Sequence, residues 1–270
     1  MHKLNNPLVE TLDSIPILVY HSVRPGGEFG VTTVHPQVFR EHIIAILEAG
    51  FRPITFHSLL EATNFPRKPI IITFDDGYVS LMDYAFPVLQ EMNASAVVFM
   101  VTRFIGRPAM WDVHFASARQ QHLTAAHLRE MVTHGWEIGS HTCTHRALPF
   151  LNHHQLHQEL VASRNRLMDI IGKPILSVAY PFGLVNQRVI SVVREVGYHF
   201  GTGSPFWKNR KSTQFTLPRL PVFPWYRASY MLQLLSGSIP WWQQKVTAVV
   251  RWPAVFTPIY QRLFRPYLWR

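Results

Sequence analysis

The chain has 270 residues, of which 47% are hydrophobic and 16% charged, and that balance excludes a disordered chain, which is poor in apolar residues. Its single cysteine, Cys143, excludes an intramolecular disulfide framework and a cysteine-based zinc ribbon. The net charge of +10 is unevenly placed: residues 1–195 hold all 16 acidic residues and 16 of the 26 Lys and Arg, whereas residues 196–270 hold ten basic residues, no acidic one and six of the eight tryptophans.

In chain order, Ile15–Tyr20 is predicted to be a buried strand, and Pro36–Ala49 a helix with Phe39, Ile43, Ile46 and Leu47 at helical spacing, stopped by Gly50. Phe51–Thr55 reads as a weak strand. Pro69–Phe74 reads as a strong one, because β-branched residues dominate it and Asp-Asp-Gly follows. Leu81–Met92 is predicted helical, with Pro87 kinking or shortening it, and Ala96–Val101 is another buried strand. Thr124 caps a helix ending at Gly135, Trp136–Gly139 is a short strand, and Asn152 caps a helix that carries Leu156, Leu160, Leu167 and Ile171 and ends at Gly172. Ile175–Tyr180 is a strand, Gln187–Val196 a helix ended by Gly197, Tyr198–Gly201 a short strand, and Thr216–Phe223 a last strand limited by Pro218 and Pro221. Strands alternating with helices imply parallel β–α units. Seven or eight of them in about 220 residues favour a barrel over an open sheet. No glycine-rich phosphate loop follows any strand, and no nucleic-acid recognition motif is visible, so nucleotide and nucleic-acid partners are not expected.

In parallel β–α folds, the loops leaving the C-terminal strand ends carry the chemistry. Three polar clusters stand at such places: Asp75-Asp76-Gly77, His141-Thr-Cys-Thr-His145 and Pro181-Phe182-Gly183. Two histidines four apart can face one cation from a single turn, and an aspartate completes a set that leaves positions open for water and substrate. Asp75 and Asp76 are adjacent, so their side chains diverge; one can bind metal while the other stays a base. The same spacing recurs at His153 and His157, but on a predicted helix and with no carboxylate motif, where a solvated face is the expectation. Cys143 is expected to be a small buried residue rather than a ligand.

Thr73-Phe-Asp-Asp-Gly77 followed by His141-Thr-Cys-Thr-His145 resembles the first two motifs of the polysaccharide deacetylases, the NodB-homology or carbohydrate esterase family 4 group, over roughly residues 15–223. The resemblance implies a deformed (β/α)7 barrel that removes N-acetyl groups from amino sugars. It also implies Asp75 as general base and Asp76, His141 and His145 as ligands of one divalent metal, with zinc the expected ion. The family's third motif reads Arg-x-Pro-Tyr, and here the matching stretch is Ala179-Tyr-Pro-Phe182. The Phe182 N–H is then the expected oxyanion donor, the arginine that orients the base is absent, and Arg219 is the candidate to replace it from the last strand. The family's Leu-x-His near the C-terminus is also missing. Ile17-Leu-Val-Tyr-His21 resembles the N-terminal element of a permuted branch typified by poly-N-acetylglucosamine deacetylases, which implies His21 as general acid.

These features divide the chain into a deacetylase domain, 1–223, and a basic, tryptophan-rich extension, 224–270. Interleaved Trp, Tyr and Arg suit an anionic membrane surface or a layer packed on the barrel. No uncharged apolar run approaches the ~18 residues of a membrane span. No apolar stretch follows Lys3 as a secretory signal requires. The expected location is therefore cytoplasmic, peripheral on the inner face of the membrane. The expected partner is an N-acetylated glycan. The alternatives are a non-catalytic glycan-binding barrel and a deformylase of a lipid-linked amino sugar.

Overall fold

The computed structural model describes Leu12 and residues 14–26, 32–61, 65–108, 120–203 and 213–237. Its strands are β1 (Ile17–Tyr20), β2 (Ser22–Val23), β3 (Thr33–Val34), β4 (Arg52–Ile54), β5 (Pro69–Phe74), β6 (Val97–Met100), β7 (Glu137–Ser140), β8 (Ser177–Ala179), β9 (Phe200–Gly203), β10 (Leu217–Pro218) and β11 (Leu220–Pro221). Its helices are α1 (Pro36–Glu48), α2 (Phe56–Glu61), α3 (Phe86–Glu91), α4 (Ala125–Thr133), α5 (His153–Ile171), α6 (Gln187–Val196) and α7 (Ala228–Leu235). The main sheet runs β10-β9-β8-β7-β6-β5-β1-β11, with β4 paired to the first half of β5. Every pairing is parallel.

The two ends of that sheet are consecutive in the chain. Leu217 and Pro218 pair with Thr202 and Gly203, Leu220 and Pro221 pair with Leu18 and Val19, and only Arg219 stands between. The predicted strand over 216–223 is therefore one strand broken at Arg219, each half ended by a proline that has no N–H for a ladder. Counted as one, it closes a ring of seven with β1, β5, β6, β7, β8 and β9, a deformed (β/α)7 barrel.

Strand periodicity sorts the side chains into two layers. Ile17, Ile71, Val97, Phe99, Ala179 and Leu217 form an inner apolar cluster that Phe56 and Leu59 of α2 join. Their alternates Leu18, Ile70, Ile72, Phe74, Val98 and Val178 join the helices in the larger outer core. Both faces of the strands are covered, which is why they read as unbroken apolar runs. The same alternation carried past each strand's end puts His21 in phase with Ile17, Asp75 with Ile71, and Arg219 with Leu217.

Most boundaries fall within two residues of the sequence expectation, and the departures have local causes. The chain from Leu81 to Ala85 is a π turn before α3, because Pro87 in the first turn of α3 has no N–H to donate back into an α ladder. The β9 ladder begins at Phe200, not Tyr198, because the Tyr198 N–H is spent on Val193 O, closing α6 beyond Gly197 at φ 93°. Helix α2 is too short for a 3.6-residue pattern to show; reciprocal hydrogen bonds between Thr55 and Ser58 start it.

Residues 224–237 of the basic extension pack on the barrel. Tyr226 is buried, Met231 and Leu234 of α7 join the outer core, and the Tyr226 carbonyl lies 2.8 Å from His42 Nε2 on α1. Trp225 stays 52% exposed, stacked on Phe223 at 5.0 Å. Residues 238–270, with most of the extension's tryptophans, lie outside the described residues. Among the described residues no helix is long and apolar enough to cross a membrane.

Candidate active site

The loops leaving β1, β5, β7, β8 and the β10–β11 break meet at one end of the barrel. Asp75 follows β5, and its N–H bonds Tyr20 O at 3.0 Å, so it is still in the ladder. Asp76 and Gly77 then both take φ 69°, reversing the chain at once. This turn sends the two carboxylates different ways. Gly77 is required on two counts: its φ is positive, and a Cβ there would lie 2.3 Å from Met100 Sδ.

Asp75 meets Arg219. Nη1 donates to Oδ1 at 2.6 Å and Nη2 to Oδ2 at 2.7 Å, a bidentate pair with both residues only 4% exposed. Thr73 Oγ1 donates to Leu18 O at 2.7 Å and faces Arg219 Nη1 at 3.3 Å, and the guanidinium lies 5.4 Å from the centre of the Phe99 ring. Burial alone would raise the Asp75 pKa. The Arg219 charge, the His141 charge, the Arg219 hydrogen bonds and the His21 charge outweigh it and hold the carboxyl well below the usual carboxylate range. Arg219 therefore occupies the place the sequence suggested for it beside Asp75, and it arrives there through the break between β10 and β11.

Asp76 meets the histidines. Its Oδ1 lies 3.5 Å from His145 Nε2 and 3.7 Å from His141 Nε2, and the two Nε2 atoms are 3.2 Å apart. One donor atom from each residue falls within 4.8 Å of the others. His141 Nδ1 is 2.8 Å from the Ala179 carbonyl, so Nδ1 holds the proton and Nε2 presents a lone pair. Burial pushes the His141 pKa down, with Asp75 opposing, and burial together with His141 pushes His145 well below its ordinary value. Two buried imidazoles whose Nε2 atoms converge beside a carboxylate are a donor set that a divalent cation fits. Asp75 spends both oxygens on Arg219, and its Oδ2 also comes within 3.8 Å of His141 Nε2, so it borders the same centre without joining the Asp76, His141 and His145 group.

The second histidine is aimed by its own loop. Thr142 and His145 take φ 68° and 60°, and the His145 N–H bonds Thr142 Oγ1 at 3.1 Å. Phe182, in the turn Pro181–Gly183, also has φ 60°, and its ring meets His145 edge-on at 4.8 Å. Of the five non-glycine residues at positive φ among the described residues, four belong to these loops, and such strain concentrates where geometry is functionally constrained. His21, half-buried at the end of β1, stands near enough for its charge to act on both Asp75 and His145.

The other histidine pair goes elsewhere. His153 is exposed and His157 Nε2 lies 3.9 Å from Glu195 Oε1, an ordinary surface arrangement. Cys143 is half-buried rather than buried, although the loop residues on either side of it are buried, and no ligand group includes it. Two contributors were given no role by the sequence reading. Thr73 entered it only as the start of a motif, and it is the one hydroxyl in an otherwise apolar strand. His122, buried against Tyr78 and Phe104, has no motif around it.

Residues 62–201 match the polysaccharide deacetylase family. A Bacillus subtilis protein described as a polysaccharide deacetylase is 28% identical over 215 residues, 78% of this chain and 72% of that one. The Staphylococcus epidermidis poly-β-1,6-N-acetyl-D-glucosamine N-deacetylase is 30% identical over 150 residues, 52% of this chain and 50% of that one; the chain thus spans about half the length of this relative. Among solved structures, the Streptococcus pyogenes deacetylase PplD has the same fold, with a TM-score of 0.70 at 21% identity over 82% of this chain and 97% of that one. With its barrel, its two aspartates and its histidine pair in this order, the chain belongs to the polysaccharide deacetylase family, enzymes that hydrolyse carbon–nitrogen amide bonds.

Proposed function

We propose that this chain removes N-acetyl groups from the amino sugars of a polysaccharide or a lipid-linked glycan, using one divalent metal, zinc by preference. The observation that carries the reading is the division of labour between adjacent aspartates: Asp75 locked on Arg219, Asp76 facing two histidine Nε2 atoms. Asp76, His141 and His145 would hold the ion, a mixed oxygen and nitrogen set that suits zinc. When bound, the ion supplies Lewis-acid polarisation of the acetyl carbonyl and of a water molecule.

The protein groups do the rest. Asp75 takes the proton of the attacking water; its pair with Arg219 keeps it ionised and fixes its orientation. The Phe182 N–H, presented by a turn held at positive φ, donates to the developing oxyanion. His21 gives a proton to the departing amine. The products are acetate and a free amino sugar. The basic extension, 224–270, packs its first part on the barrel, and its remaining residues, 238–270, hold the enzyme at an anionic membrane surface on the cytoplasmic side. Sedimentation with anionic liposomes that weakens in high salt, and that is lost when 238–270 is removed, checks this; indifference to liposomes at low salt overturns it.

Release of acetate and of formate from N-acetylated and N-formylated amino-sugar oligomers, with chelator and after zinc is restored, tests the chemistry. Chelator-sensitive acetate release is expected. Formate alone would make the enzyme a deformylase, and oligomer binding without either product would make the barrel a binding protein.

A further inference from the structure

Two of the three proposed metal ligands stand on one loop, 141–145, bent through two left-handed residues, Thr142 and His145. Non-glycine residues hold that conformation only where the surroundings impose it. Part of the restraint is internal to the loop. Ser140 Oγ accepts the Thr142 N–H at 3.1 Å, and Thr142 Oγ1 accepts the His145 N–H at 3.1 Å.

The rest comes from outside, from Glu159 on α5. Its Oε2 accepts the N–H of Cys143 at 3.0 Å and the N–H of Thr144 at 2.9 Å, and its Oε1 accepts the Thr144 hydroxyl. Arg146, the residue after the second histidine, brings Nη1 to 3.8 Å from Oε1. Glu159 is only 5% exposed and lies on the apolar stripe of α5 formed by Leu156, Leu160 and Leu167. A carboxylate there would be costly to bury without such partners. It accepts three hydrogen bonds from two consecutive residues of one loop, a cradle fitted to a single backbone path.

We propose that Glu159 is a positioning residue for the metal site: it fixes the loop path that brings His141 and His145 to one cation, without touching that cation. The inference rests on the reading of Asp76, His141 and His145 as a metal site. Partners that orient ligands from behind typically change metal affinity about 10–100-fold when removed.

Cobalt(II) and zinc affinity, measured by competition with a chromophoric chelator, test this in the full chain, together with the cobalt visible spectrum. Glu159→Gln keeps the volume but leaves one acceptor oxygen for three donors. It is expected to weaken metal binding about 10–100-fold and to change the cobalt band shape. Leu167→Ala, on the same helix, serves as a matched destabilisation and is expected to lower the melting temperature with native metal affinity. If Glu159→Gln loses only stability, as Leu167→Ala does, or fails to fold at all, Glu159 is a general packing residue and the inference is overturned. Failure of the unaltered protein to bind either ion would instead remove the metal reading on which it rests.

Discussion

Replacing Arg219 by Met should be the most damaging single change away from the metal ligands. The residue stands between β10 and β11, where the barrel closes, and its side chain meets Asp75 through two charge-assisted bonds of 2.6 and 2.7 Å, with 4% of each residue exposed. Methionine fills a similar volume but leaves the carboxylate buried and unpaired. Breaking a buried pair in this way costs about 3–5 kcal/mol. The linkage runs in one direction. Asp75 has a depressed pKa in the fold, so its stabilisation is present above the ordinary carboxylate range and is lost as pH falls through the folded value. In Arg219→Met the burial that raises the Asp75 pKa loses its main opponent, so the acid limb of kcat/KM should move to higher pH. Urea unfolding at pH 7 and the pH profile of acetate release measure both effects. Arg219→Lys should recover part of the stability but not the bidentate alignment. A loss below about 1 kcal/mol, the range of exposed ion pairs, with an unmoved acid limb would refute the reasoning.

His141→Ala should abolish metal retention while His153→Ala leaves it intact, as metal analysis after gel filtration will show; equal loss from both would mean the wrong pair was chosen. His21→Asn should lower kcat by ~10²–10⁴, the usual share of acid–base catalysis, with metal content unchanged, and an unimpaired variant would return the search for the acid to other residues. Burial pushes His122 down to about 4, with its hydrogen bond to Arg107 O partly opposing. It is neutral in the fold while the unfolded chain takes up its proton near 6.5, so its contribution is present above that pH and lost as pH falls toward 4. That amounts to about 2 kcal/mol between pH 7 and 5, and urea unfolding of His122→Gln should show a correspondingly shallower acid loss.

What could be read from the sequence followed from period and punctuation. Apolar runs such as PIIITF fixed strands on their own, and the two-residue period carried past them to His21 and Asp75, so candidates on separate loops could be assigned to one rim. Arg219 was reachable by the same phase, counted from Leu217, although Pro218 and Pro221 obscured the strand that holds it. The π turn before α3 depends on how the chain accommodates Pro87, which propensity does not encode. Glu159 was hidden for another reason. Its helix also carries His153, His154 and His157, so its polar residues looked like a solvated face, and only tertiary contact shows that this one carboxylate turns inward. The strain at Thr142, His145 and Phe182 was equally invisible, since none of them is a glycine.

The central claim is that adjacent aspartates do different work, Asp75 as base and Asp76 as ligand. Metal content and acetate release measured together on Asp75→Asn and Asp76→Asn test it most directly. The account predicts that Asp75→Asn keeps its metal and loses turnover, whereas Asp76→Asn loses both. An Asp75→Asn protein that comes out metal-free, or that still releases acetate at the native rate, would contradict it.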